Sequence, residues 1–106
     1  MSRTINAQEF KSILDNKNVT VIDVCRKEDY SADSNTIPGS FWLDPAQIGT
    51  WCETLPADKE VVLYCVRGGS VSNSVVDTLQ AKGLQARFIE GGITAWTDAG
   101  GNIVQK

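Results

Sequence analysis

Cys65 is the residue with which chemistry could begin. It ends an apolar run, Val61-Val62-Leu63-Tyr64, and is followed by Val66-Arg67-Gly68-Gly69-Ser70-Val71. A buried strand would deliver this cysteine to the edge of a sheet. Two glycines would let the backbone curl through conformations closed to other residues, and a helix would begin directly afterwards. Successive backbone N–H groups of such a loop point inward, and the helix N-terminus adds partial positive charge. A thiol placed there is expected to ionise more readily than an ordinary cysteine. The same cradle could hold a persulfide anion or a bound oxyanion, and Arg67 adds a full positive charge at its mouth. The bland alternative is a small buried cysteine that merely ends a strand, as inert cysteines often do. Strand, cysteine, glycine-bearing loop and helix in succession favour the reactive reading.

The remaining composition narrows the chemistry. The 106 residues include no histidine, which removes Cys-His and Ser-His catalysis and histidine metal ligation. The three cysteines, Cys25, Cys52 and Cys65, are widely spaced and form no C-x-x-C pair. Neither a zinc knuckle nor a thioredoxin-type dithiol is therefore written here, and no metal site is expected. A net charge of −3 argues against nucleic acid and against anionic membranes as partners. No stretch approaches the roughly 20 apolar residues of a membrane span. The opening MSRTINAQEF has no apolar core of a signal peptide, so a cytoplasmic location is expected. With 42% hydrophobic and 22% charged residues, and no repeat or linker, residues 1–106 read as a single domain.

Elements to position Cys65 are legible along the chain. Asn6-Ala7-Gln8-Glu9 has the form of a capping box and predicts a helix to about Leu14. Asn18 to Val24 is β-branched and apolar, as a buried parallel strand would be. Arg26 to Asp33 reads as a short helical turn. Ile37-Pro38-Gly39 is a turn before a short strand, Ser40 to Leu43. Asp44-Pro45 has the form of an N-cap with proline at the first helical position. Ile48, Trp51, Cys52 and Leu55 then share one helix face, which Leu55-Pro56 ends. Glu60 to Tyr64 is a second buried strand. Val71, Val75, Val76 and Leu79 mark the inner face of the helix after the loop, closed by Gly83. Ala86 to Ile89 is a further strand, Gly91-Gly92 turns into a short helix carrying Trp96, and Gly100-Gly101 precedes an extended tail. Such alternation implies a three-layer α/β fold, a mostly parallel central sheet flanked by helices. Ligands of such sheets sit beyond the carboxyl ends of the strands, where Cys65 lies.

Four segments in this order resemble the rhodanese family across nearly the whole chain. Val21-Ile22-Asp23-Val24 is similar to its opening strand, and Ile37-Pro38-Gly39-Ser40 to its turn. Cys65 to Ser70 resembles its six-residue sulfurtransferase loop. Phe88-Ile89-Glu90-Gly91-Gly92-Ile93-Thr94-Ala95-Trp96 is close to its C-terminal signature. The resemblance implies a rhodanese-like fold and a sulfurtransferase. Sulfane sulfur would pass from a donor such as thiosulfate or a persulfide, through a Cys65 persulfide, to a thiophilic acceptor. It implies Cys65 as catalytic residue, with Val66, Arg67, Gly68, Gly69, Ser70 and Val71 around the donor, and no metal or organic cofactor. The partners it implies are small-molecule donors and acceptors, with a thioredoxin-like or sulfur-relay protein left open. This chain departs from the family in three places. Cys25 stands where the family has arginine, Asn35-Thr36 where it has Gly-His, and Ser70 where arginine often ends the loop.

Two other functions compete. A catalytically quiet rhodanese-like module would bind or regulate a partner, but retention of Cys65 and its glycine-bearing loop speaks against it. A phosphatase or arsenate reductase needs an arginine six residues after the cysteine to grip an oxyanion; that residue is Val71. Among the other side chains, Cys52, Trp51 and Trp96 read as core, Asp23 as an acceptor for backbone groups and Asp44 as an N-cap. Cys25 reads as structural, with a resolving thiol as its alternative, and Trp42 lies between core and pocket.

Overall fold

Apolar runs without alternating polar residues can be satisfied only where both faces of a strand are covered, and here they form the middle of a sheet. The structure is a computed structural model and describes residues 4–13, 19–26, 28, 35–55, 59–66 and 70–105. In chain order the elements are β1 (Thr4–Ile5), α1 (Ala7–Ile13), β2 (Val19–Asp23), β3 (Asn35–Thr36), β4 (Phe41–Trp42), α2 (Ile48–Trp51), β5 (Glu60–Tyr64), α3 (Ser70–Ala81), β6 (Ala86–Ile89), α4 (Gly92–Asp98) and β7 (Val104–Gln105). Among the described residues, five strands form one sheet in the order β1-β6-β5-β2-β4, every neighbouring pair parallel. The long strands β2 and β5 are adjacent at its centre, with Asp23 opposite Tyr64.

The two faces of the sheet carry separate cores. Ile22, Val24, Leu63, Cys65 and Phe88 face α3 and the α2 segment, meeting Val75, Val76, Leu79, Trp51 and Cys52. Val21, Val62, Tyr64 and Ile89 face the opposite way, toward Phe10 of α1 and Ile93 and Trp96 of α4. There the Phe10 and Trp96 rings meet edge to face with centroids 5.1 Å apart. The alternation along β5 therefore turns Cys65 toward α3 and Tyr64 toward α4. This is the three-layer α/β arrangement, with helices on both faces of a parallel sheet.

Local signals explain the helix starts. The Asn6 Oδ1 accepts from the Glu9 N–H at 2.7 Å, while the Asn6 N–H donates to the Glu9 carboxylate at 3.4 Å, the reciprocal pair of a capping box. Asp44 caps the next start, its Oδ1 accepting from the Ala46 N–H at 2.9 Å with Pro45 first in the turn. The expected continuous helix from there is broken into 3-10 turns, Pro45–Gln47 and Cys52–Thr54, on either side of α2. Its expected face survives, with Trp51 and Cys52 buried and Ile48 and Leu55 packed against them. The pairing of β3 with β7, antiparallel, has no counterpart in the sequence reading. Leu14, Asn18, Pro56 and most of the expected turn from Arg26 to Asp33 lie outside the described residues.

Tyr64 ties the turn before β4 to the sheet. Its hydroxyl lies 2.7 Å from the Thr36 hydroxyl and 2.8 Å from that of Ser40, and it accepts from the Ile37 N–H at 3.3 Å. Burial, aided by the nearby Asp23 carboxylate, pushes the phenol from 10.0 up to about 12, against the opposing pull of the Ser40, Thr36 and Ile37 hydrogen bonds. The folded state therefore holds this proton more tightly than the unfolded chain. The resulting stabilisation is complete below pH 10.0 and is lost as the pH rises toward about 12. Replacing Tyr64 by Phe orphans the buried Ile37 N–H and should cost about 1–3 kcal/mol in denaturant titrations at neutral pH. It should also flatten the decline in stability above pH 10.0.

Candidate active site

The site assembles at the carboxyl end of β5. Cys65 is the first residue beyond that strand, and α3 begins at Ser70. Its carbonyl accepts from the Ile93 N–H at 3.0 Å, and the Val66 carbonyl accepts from both the N–H and the hydroxyl of Thr94, at 3.2 and 3.0 Å. The start of α4 thus holds both carbonyls on the face opposite the Cys65 side chain. In a planar trans peptide the next N–H points away from the preceding carbonyl. Anchoring the Cys65 carbonyl to α4 therefore turns the Val66 N–H toward the face on which the sulfur lies.

Gly92 makes this anchorage possible. It has a φ of 63°, in the left-handed region. A Cβ there would collide with the Cys65 carbonyl oxygen and stand 2.6 Å from the Val66 carbonyl carbon and oxygen. No side chain fits between α4 and the strand end.

On the sulfur side, the hydroxyl of Ser72 donates to the Cys65 Sγ at 3.1 Å. Cys65 is 8% exposed and Ser72 is fully buried. The sequence reading named Val71 for the inner face of this helix. The structure adds Ser72 to that face, at i, i+3, i+4 and i+7 with Val75, Val76 and Leu79, all buried, while Val71 is half-buried and packs against the same core. A polar residue at the first position of an apolar stripe was the signal that could have found it.

Cys25 is buried in the same core cluster as Cys65. Its N–H donates to the Asp23 Oδ1 at 2.9 Å, which makes Asp23 the backbone acceptor expected of it, and its carbonyl accepts from the Trp42 indole at 2.8 Å. Cys52 and Trp51 lie in the core beneath α2, and Trp96 in the core of the other face. A cavity of about 560 Å³ lies between residues 44–48 and one side of α3, with Arg26 and Glu28 also in its lining. Val71 and Ser74 form part of its wall. Of the expected donor-binding residues, the structure thus places Val66 on the α4 anchor and Val71 on the cavity. Ser70 opens α3, and Arg67, Gly68 and Gly69 lie outside the described residues. Among the described residues, no group of three or more His, Cys, Asp or Glu could hold a metal ion, and no helix is long and apolar enough to cross a membrane.

Comparison with known proteins agrees with the fold. Residues 6–99 match the model of the rhodanese-like domain. The chain is 36% identical over 76 residues, 72% of its length, to YtwF of Bacillus subtilis strain 168, a protein bearing a sulfurtransferase name, and spans 71% of it. It is likewise 36% identical over 76 residues to the tRNA sulfurtransferase of Desulfurococcus amylolyticus, of whose length it spans only 14%. Among solved structures, a rhodanese-related protein from Thermoplasma volcanium superposes with a TM-score of 0.85 at 27% identity, covering 99% of this chain and 100% of that one.

The Gly92 anchorage can be checked directly. Gly92→Ala should lower stability by more than about 2 kcal/mol, because it combines a strained backbone with a steric clash. A loss below about 1 kcal/mol in denaturant unfolding would mean that α4 does not press on the strand end.

Proposed function

The chain belongs to the rhodanese-like domain family, and on that footing we propose that it is a sulfurtransferase with Cys65 as the sulfur carrier. The observation that carries this reading is the placement of Cys65. It is a buried cysteine at the carboxyl end of a central parallel strand, its backbone clamped by α4 and its sulfur met by a hydroxyl from α3. The donor is an anionic sulfane such as thiosulfate, or a persulfide. The Cys65 thiolate attacks the outer sulfur of thiosulfate, the S–S bond breaks, and its electron pair leaves with sulfite. The outer sulfur stays on Cys65 as a persulfide. A thiophilic acceptor then attacks that terminal sulfur, and the Cys65 Sγ departs as thiolate. The two half-reactions balance without metal or organic cofactor.

Arg67 is the sole cationic side chain in the run from Cys65 to Val71, and its role in this scheme is to hold the sulfonate of the donor and the departing sulfite. The acceptors that suit the reading are small thiols, cyanide, and a thioredoxin-like or sulfur-relay protein in the cytoplasm. The net charge of −3 favours these over a nucleic acid.

Intact-mass analysis after thiosulfate treatment tests the scheme. The protein should gain one sulfur atom, located at Cys65, and lose it to cyanide. Cys65→Ser should abolish the gain, and Cys52→Ala should leave it unchanged. Cys25→Ser should retain turnover within a few-fold. Sulfur accumulating on Cys25 or Cys52 would overturn the assignment, and no gain at all would favour a quiet binding module. Arg67→Ala should reduce kcat/KM for thiosulfate about ten- to a hundredfold, the worth of a charge-assisted hydrogen bond. A neutral organic persulfide should suffer much less. Equal losses for both donors would remove Arg67 from donor recognition.

A further inference from the structure

We infer that Ser72 acts on one half of the reaction: its hydroxyl receives the charge that returns to the Cys65 Sγ when sulfur is handed to the acceptor. This rests on Cys65 being the sulfur carrier. Ser72 touches the reacting atom itself, 3.1 Å from its Oγ to the sulfur, with both residues buried. A serine hydroxyl has one proton to give. In a helix it commonly gives it to a carbonyl one turn earlier; here it gives it to the sulfur. The burial of Ser72 also withholds water from this bond, so no solvent molecule stands ready to replace it.

The two half-reactions move charge differently at that atom. During loading, the negative charge leaves the Sγ, which becomes the inner sulfur of a disulfide-like bond. The charge settles on the terminal sulfur, about 2 Å farther out. The Ser72 hydrogen bond is therefore strongest to the thiolate and weakest to the persulfide. During transfer to the acceptor, the S–S bond breaks with its electron pair on the Sγ, and the bond to Ser72 strengthens as the charge arrives. A stabilised thiolate is a better leaving group but a poorer nucleophile, while more of it is present. These effects offset one another during loading. During discharge only the leaving-group effect operates, so Ser72 accelerates the second step.

The test separates the two steps in the full chain. Wild type, Ser72→Ala and Ser72→Thr are loaded with thiosulfate while sulfur uptake is followed by intact mass. They are then freed of donor and mixed rapidly with cyanide, and thiocyanate release is timed. Alanine fits within the volume of serine and favours the helix, so the fold is retained. Discharge from Ser72→Ala should slow about tenfold, the effect of losing a hydrogen bond to a charged atom. Loading should change by less than about threefold, because its contributions offset. Ser72→Thr, which keeps the hydroxyl, should recover most of the discharge rate. Discharge at the wild-type rate, or an equal slowing of both steps, would overturn the inference while leaving Cys65 as carrier. Wild-type protein that takes up no sulfur at Cys65 would overturn the sulfurtransferase reading, and this inference with it.

Discussion

The contact between the start of α4 and the end of β5 organises this molecule. Two carbonyls at the end of a central strand need donors, because buried peptide groups left unpaired cost stability. Here the donors come from the first residues of α4, Ile93 and Thr94. They reach the strand only because Gly92 brings backbone against backbone. The same helix inserts Trp96 against Phe10 and closes the core on that face. One contact therefore serves packing and the candidate site together, holding the Cys65 backbone from behind and leaving the opposite face to its sulfur.

The division of labour between the faces follows from the pleat. Adjacent residues of β5 point in opposite directions, so Tyr64 and Cys65, neighbours in sequence, work in separate environments. Tyr64 joins Thr36, Ser40 and Ile37 in a polar knot that secures the turn before β4. Cys65 faces an apolar cluster with one hydroxyl aimed at its sulfur. Cys25 continues that cluster with a small apolar side chain. Asp23, facing the Tyr64 side, is left to bind backbone.

What could be read in the sequence was whatever rests on local pattern. The Asn6–Glu9 capping box, the Asp44-Pro45 start, the apolar runs of β2 and β5 and the glycine turn before α4 each carry their physics within a few residues. The position of Cys65 directly after β5 was legible as well, because the apolar run Val61-Val62-Leu63-Tyr64 stops there. What escaped depends on contacts between distant segments. The pairing of Asn35–Thr36 with Val104–Gln105 involves two residues on each side, too few for any periodicity. The 3-10 turns around α2 keep the apolar face a regular helix would have, so spacing could not distinguish them. Ser72 was hidden in a different way: a serine among valines reads as a flaw in the stripe until its partner, the Cys65 sulfur at the end of β5, is known.

The sheet's short outer strands bear on self-association. Its long apolar strands are internal, and the outermost described strands, β1 and β4, have two residues each. An edge offers another chain as many hydrogen bonds as it has unpaired residues in extended form. Here that ladder is too short to template a second sheet, even though Phe41 on β4 is 48% exposed. Strands as hydrophobic as Val61-Val62-Leu63 would be hazardous at a rim. Placing them in the centre confines the aggregation-prone sequence to the one position from which neighbouring molecules are excluded.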